Sequence, residues 1–294
     1  MKRFALAAAL TLAALPVLAD PVTIATARGP VALPGAPASV AVFDVAAADT
    51  LTALGVTPSG LPEKLYVQYL DPKAAAPIGT LFEPDLEALS ALDPDLIIVG
   101  ARSAAQFDAV AQVAPTIDMS ISADVVGDAR ARLAAYGALF GKAAKAAELA
   151  AALDARIAAL QAAAAGKGDA LIVLTNGPKI SAYGRGSRFG WIHDTVGLPE
   201  AYPALKPEVH GDAISFEFIA EVDPDWLIVV DRGAATGAEG PAAAETLNNP
   251  LVAGTKAAKA GHVVLLNAAD LYIAGGGYQA LMENLAELLA ALKG

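Results

Sequence analysis

The sequence predicts an α/β protein of two lobes, each built on a mainly parallel sheet, joined by one long bridging helix. Three observations lead there. First, one stretch is used twice: residues 87–102 and 217–232 align without a gap and are identical at seven of sixteen positions. The shared residues include Glu87/Glu217, Asp93/Asp223, Pro94/Pro224, Asp95/Asp225 and Arg102/Arg232. These are not the residue types that an alanine-rich composition would match by accident. Second, short apolar runs alternate with helical patterns in both halves, as in sheets covered by helices on both faces. Third, Lys142 to Ala165 contains neither glycine nor proline. At about 1.5 Å per residue that stretch spans roughly 36 Å, enough to link two lobes. A coiled-coil arm is the alternative, and the strand-bearing segments on either side favour a bridge.

The elements follow in order. Met1-Lys2-Arg3, the apolar run Phe4–Leu18 and Ala19 before Asp20 have the layout of a cleaved signal peptide over residues 1–19. The run is too short for the roughly 20 residues of a membrane span. Residues 20–38 read as an extended lead-in. Ser39–Asp44 is a first strand, and Ala46–Leu54 a helix stopped by Gly55. Residues 61–77 are loop-like. The first repeat copy supplies a short helix, a Pro-Asp turn and a buried strand over 95–100. A helix over 103–113, a weak strand over 116–119 and a helix over 124–140 complete a first lobe, residues 20–141. The bridging helix takes 142–166.

The second lobe, 167–294, repeats the plan. A strand is expected at 169–174, a short strand and a loop over 178–188, and a helix over 189–196. Residues 198–213 form a polar loop holding His210-Gly211. The second repeat copy comes next, then a loop over 233–240, short helices over 241–259 and a strand over 262–267. A loop over 271–277 carries Tyr272 before three glycines, and an amphipathic helix over 278–292 closes the chain.

Composition narrows the function. The mean hydropathy is +0.49 and 55% of residues are hydrophobic, much of it alanine, which buries little area. There is no cysteine, hence no disulfide and no lipidated cysteine anchor. The formal charge is −11, and losing Lys2 and Arg3 with the signal leaves 18 basic against 31 acidic residues, or −13. That disfavours nucleic acid and anionic membranes as partners, and it makes the few arginines informative.

Arg102 and Arg232 each follow an apolar strand, so both belong at the carboxyl rim of a sheet, where open α/β sheets bind ligands. A guanidinium's fixed fork of donors suits planar anionic oxygens. A surface arginine paired with an acid is the bland alternative, weakened by the two being in register. Arg185 and Arg188 sit in a glycine-rich loop, either near the cleft or in a solvated turn. His193 and His262 read as structural. His210 and Tyr272, on loops without apolar pattern, are possible metal ligands, although spacing alone is a weak signal. Gly184–Gly190 looks superficially like a dinucleotide fingerprint but follows no suitable strand. No nucleophile elbow, P-loop or Ser–His–Asp set stands out.

Taken with these segments, the chain resembles the periplasmic iron–siderophore-binding proteins of bacterial ABC importers, the helical-backbone (class III) group, and within it the binders of ferric catecholates. The matching segments are Val-Phe-Asp at 42–44, Gly-Thr-Leu-Phe-Glu-Pro-Asp at 79–85, Pro-Asp-Leu-Ile-Ile-Val-Gly-Ala-Arg at 94–102, Ile-Ser-Ala-Tyr-Gly at 180–184 and Gly-Ser-Arg-Phe-Gly at 186–190. His-Gly at 210–211, Ile-Ser-Phe-Glu at 214–217, Asp-Arg-Gly-Ala-Ala at 231–235 and Tyr-x-x-Gly-Gly-Gly at 272–277 continue the match. The resemblance implies two Rossmann-like lobes with the ligand in the cleft between them, and no catalysis. It implies that Arg102, Arg188 and Arg232 meet catecholate oxygens, and that His210 and Tyr272 ligate ferric iron when a siderophore supplies only four oxygens. It further implies that Glu87 and Glu217 dock onto arginines of the membrane permease. The expected protein is a periplasmic monomer with no permanent cofactor, whose cargo is a ferric siderophore. A haem or cobalamin carrier of the same fold is the nearer alternative, and a secreted hydrolase the more distant one.

Overall fold

The structure, a computed structural model, describes residues 21–294. The expected signal peptide lies outside the described residues. Among the described residues no helix is long and apolar enough to cross a membrane.

The lead-in is not merely extended. β1 (Val22–Thr26) and β2 (Gly29–Leu33) form an antiparallel hairpin, turned at Gly29 with φ of +104°. Its tip is tied to the first lobe by Arg28 Nε, 3.2 Å from Asp118 Oδ2. The first sheet then comprises β3 (Val40–Val42), β4 (Gly60–Leu61), β5 (Ala76–Pro77), β6 (Leu96–Val99) and β7 (Thr116–Asp118), in the order β5-β4-β3-β6-β7 and parallel throughout. β4 and β5 lie in the stretch expected to be loop. Two residues each carry too little pattern to be read from sequence. The first-lobe helices are α1 (Val45–Ala53), α2 (Leu86–Leu92), α3 (Phe107–Val110) and α4 (Val125–Leu139). The helix expected over 103–113 is broken: Ser103 Oγ accepts from Gly100 N at 3.0 Å, and a 3-10 turn over Ala104–Gln106 precedes the single turn of α3.

α5 (Ala143–Ala164) is the long helix. Its buried residues Ala146, Leu149, Leu153, Ile157, Leu160 and Ala164 recur every three or four positions, the stripe of one helix face. Its 22 residues span about 33 Å.

The second sheet contains β8 (Ala170–Asn176), β9 (Lys179–Ala182), β10 (Asp212–Ile214), β11 (Trp226–Asp231) and β12 (Val263–Leu265), in the order β10-β9-β8-β11-β12. β8, β11 and β12 are mutually parallel, and the β8–β9 hairpin supplies the one reversed direction. The helices are α6 (Trp191–Val196), α7 (Phe216–Val222), α8 (Arg232–Thr236), α9 (Ala243–Thr246), α10 (Pro250–Ala253), α11 (Lys256–Ala260), α12 (Ala268–Tyr272) and α13 (Tyr278–Lys293). α8 and α12 stand where loops were expected. Asp231 and Asn267 cap them, Asp231 accepting from Ala234 N at 3.1 Å and Asn267 from Ala269 N at 3.1 Å.

Strand alternation sorts side chains into three cores. Val40 and Val42, Leu96 and Ile98, Ile172 and Leu174, and Ile228 and Val230 all face one continuous core, shared by both lobes and by α5. Ala41, Ile97 and Val99 face a separate layer closed by Leu89 and Val110. Leu171, Val173, Leu227 and Val229 face another, closed by Ile219, Val252 and Ala257. The final helix does not stay with the second sheet. It packs on α5 and α1, where Asp49 of α1 accepts from Gln279 N at 2.7 Å and Ala280 N at 2.9 Å.

The repeat is one backbone design used twice. Proline disfavours helical geometry in the residue before it, and α2 and α7 both end on an aspartate in the left-handed region, Asp93 (φ 48°) and Asp223 (φ 46°). The second aspartate of each Pro-Asp then grips the entry to its sheet's first strand. Asp95 Oδ2 accepts from Ala38 N and Ser39 N at 2.8 and 2.9 Å, and Asp225 Oδ2 accepts from Asp169 N at 3.1 Å. Asp95→Ala and Asp225→Ala should each lower stability by about 1–2 kcal/mol by stranding these amides. Urea unfolding with an unchanged denaturant slope would register the loss, and a change below about 0.3 kcal/mol would contradict it.

Candidate functional site

Both sheets reverse direction of growth beside their first strand, between β3 and β6 and between β8 and β11. Such switch points leave a crevice at the carboxyl ends of the strands. Arg102 follows β6 and Arg232 follows β11, so the repeat delivers one guanidinium to each crevice. Arg188 comes from the glycine loop before α6. That loop closes so tightly that a Cβ on Gly190 would lie 2.0 Å from Gly184 O. Tyr272 ends α12.

These four residues meet. Arg102, from the first lobe, donates to the carbonyl oxygens of Tyr272 and Ile273. Arg188 Nη2 donates to the same Tyr272 carbonyl at 2.9 Å. Arg232 Nε donates to Tyr272 Oη at 3.1 Å, and its Nη1 to Asn176 Oδ1 at 3.1 Å. The guanidinium carbons of Arg102, Arg188 and Arg232 lie 5.2, 4.1 and 5.8 Å from the centre of the Tyr272 ring. All four residues line an open cleft of about 690 Å³ between the lobes. Trp191 also lines it, and Phe82 and Val209 bring exposed apolar side chains to it from opposite lobes.

Burial and the neighbouring charge of Arg188 hold Arg102 below the usual arginine range. Burial would push Tyr272 up, but the Arg232 hydrogen bond and the charges of Arg188, Arg232 and Arg102 outweigh it, and its phenol lies below the ordinary value. The site therefore favours phenolate and bound anions.

The remaining sequence candidates lie elsewhere. His210 is exposed and does not line the cleft, although its neighbour Val209 does. Its loop is fixed by Tyr183 Oη, which donates to His210 O at 3.0 Å. Glu87 and Glu217 are exposed in the first turns of α2 and α7, equivalent positions outside the cleft. Arg185 pairs with Asp194 at 3.2 Å and Glu200 at 3.8 Å. His193 is buried with Nδ1 3.1 Å from Leu198 O, and His262 stacks on Trp226 with its ring 3.9 Å away. Both histidines are structural. Among the described residues no group of three or more His, Cys, Asp or Glu side chains could hold a metal ion.

Three charged cleft residues were not singled out from the sequence: Asp44, Arg132 and Asp270. Asp44 follows β3 at the first switch point. Arg132 lies mid-helix on α4, where no local signal marks it. Asp270 is buried, and neither carboxylate oxygen has a hydrogen-bond partner among the described residues. Burial, then the charges of Glu283 and Asp49, raise its pKa to about 7.

Comparison with known proteins agrees with this architecture. Residues 40–269 match the profile of the family described as periplasmic binding protein. The chain belongs to this family. It is 35% identical over 269 residues to the petrobactin-binding protein YclQ of Bacillus subtilis, covering 89% of this chain and 84% of that protein. It is 29% identical over 277 residues to the ferric-anguibactin-binding protein FatB of Vibrio anguillarum, covering 90% and 85%. The crystal structure of YclQ superposes with a TM-score of 0.88, covering 94% of this chain and all of that one at 32% identity. The catecholate-siderophore-binding protein VctP of Vibrio cholerae superposes with a TM-score of 0.86 at 30% identity, covering 92% of this chain and 100% of that one.

Two measurements probe the site's electrostatics. The phenolate absorbance of Tyr272, isolated by difference against Tyr272→Phe, should titrate below the range of free tyrosine and move up in Arg232→Leu. An unchanged midpoint would show that Arg232 does not set the ionisation. Asp270 has a folded-state pKa above its unfolded value, so its contribution to stability is full below about 3.8, where the unfolded carboxyl titrates, and is lost progressively as pH rises to about 7. Asp270→Asn should therefore raise the Tm much more near pH 8 than near pH 4. An equal shift at both would contradict the assignment.

Proposed function

We propose that this chain captures a ferric siderophore in the interlobe cleft and delivers it to the permease of an ABC importer, without catalysis. The observation that carries this reading is the convergence of three guanidiniums, from both lobes, on Tyr272 in an open cleft. That arrangement is costly when empty, because like charges are gathered in a partly dry site, and an anionic ligand repays the cost. Petrobactin and ferric anguibactin, which name the two relatives, point to ferric siderophores as the ligand class. The planar fork of arginine fits paired oxygens, and catecholate is the ligand chemistry we favour.

Iron arrives as part of the cargo. Tyr272 is the residue suited to complete its coordination, because a phenol must lose its proton to bind a metal and the three arginines lower that cost. His210 is the second candidate ligand, from the loop at the cleft's edge. Glu87 and Glu217, exposed on equivalent helices of the two lobes, are the acids offered to the permease. The lobes divide at 20–141 and 167–294 about the spacer 142–166, with α13 returning to the first lobe. Residues 1–19 would direct export and then be removed. A haem carrier is the second reading, since Tyr272 in the cleft could serve haem iron, with His210 offered from the loop at its edge. A cobalamin carrier would have less use for the arginine cluster.

Titration with a ferric biscatecholate should quench the emission of Trp191, which borders the cleft. Arg232→Ala should weaken binding by about tenfold or more, the worth of a charge-assisted hydrogen bond. Tyr272→Phe combined with His210→Ala should remove the ligand-to-metal absorbance contributed by the protein. Haem binding in preference to the ferric biscatecholate would overturn the siderophore reading, and an unaltered spectrum in the double variant would overturn direct ligation.

A further inference from the structure

The wall of the cleft on the first-lobe side holds a polar knot that the proposed ligation does not use. Asp44 stands between β3 and α1. Arg132 faces it from α4, with Nη1 3.5 Å from Asp44 Oδ2, a charge contact rather than a well-formed hydrogen bond. Tyr136 lies one turn further along α4. Arg132 is 5% exposed and lines the cleft, as does Asp44. Asp44 Oδ2 and Tyr136 Oη are buried without a hydrogen-bond partner among the described residues. Buried groups left in that state are rare and costly.

The place is as telling as the chemistry. Asp44 sits at the first lobe's switch point, and a Cβ on Gly100 would lie 2.4 Å from Asp44 Cγ, so the end of β6 is shaped to admit this carboxylate. In the second lobe, Asn176 ends β8 at the equivalent switch point, and there Arg232 already satisfies it. The crevice at Asn176 has that amide oxygen paired, whereas the one at Asp44 leaves its carboxylate oxygen without a hydrogen bond. The unfilled one presents an acceptor and a donor side by side.

We infer that Asp44 and Arg132 form a second recognition point in the cleft, which takes a neutral group carrying a donor next to an acceptor, a carboxamide being the simplest. The amide N–H would donate to Asp44 Oδ2 and the amide carbonyl would accept from Arg132. A carboxylate there would meet the charge of Asp44, and an ammonium would meet the charges of Arg132 and Arg102. The three-arginine group thus reads the ligand's anionic chelating oxygens, and this pair reads the linkage that joins them. The inference rests on the ferric-catecholate reading of the cleft.

The test compares three preformed complexes at one pH by tryptophan quenching: ferric catechol, ferric dihydroxybenzamide and ferric dihydroxybenzoate. The wild-type protein should bind the benzamide complex about tenfold more tightly than the catechol complex. Arg132→Met should bring those two within about twofold. Asp44→Ala, which leaves the guanidinium alone, should shift preference to the benzoate complex. Thermal melts of both variants confirm folding. A wild type that binds all three without this ranking, or variants that weaken all three equally, would mean that the pair is structural, and the inference falls. A folded wild type that binds none of them overturns the catecholate reading itself, and the inference with it.

Discussion

One carbonyl oxygen holds the site together. Tyr272 O accepts from Arg102 of the first lobe and Arg188 of the second, so two cations that repel each other are pinned to one point across the cleft. Arg232 completes the group through the phenol. This geometry survives only if the two lobes keep their separation. The continuous core running from the inner faces of both sheets through α5 provides that rigidity. The site is then pre-organised for an anion, and binding need not bear the expense of gathering the charges.

The duplicated segment explains why the two lobes can cooperate in this way. Each copy caps a helix, turns at Pro-Asp, anchors its sheet's entry through the second aspartate and releases an arginine at the carboxyl rim. The copies differ in what waits beside that arginine. Asn176 is already bonded to Arg232, whereas Asp44 is left facing Arg132 across 3.5 Å. The lobes share a frame and differ in their chemistry.

Much of this could be read from residues alone, and the boundary is physical. The apolar runs ending at Val99 and Val230 declare buried strands, and the arginines that follow are placed by strand geometry. The uninterrupted span before Gly166 declares a long helix. Tyr272 and Arg188 stood as open alternatives until the resemblance gave them roles, because loop spacing says nothing of where a loop lands. The hairpin at 22–33 was missed because its inward residues, such as Ile24 and Leu33, are too few to show a period. α8 was missed because its cap, Asp231, doubles as the last residue of a strand. Arg132 was invisible because a buried cation on a helix looks the same in sequence as a solvated one. His210 marks the opposite limit: its exposed side chain lies off the cleft although the sequence singled it out.

The grip of Asp49 on the start of α13 has a mechanical meaning. The polypeptide crosses between lobes along α5 and returns along the segment from α12 to α13, so the lobes are hung on two straps side by side. A single strap permits twisting, whereas two in parallel resist it and leave mainly a hinge about one axis. Because the second strap begins at Tyr272, any opening of the cleft pulls directly on the residue that the arginines hold. Motion of the lobes is thereby coupled to the same piece of backbone that gathers the three arginines.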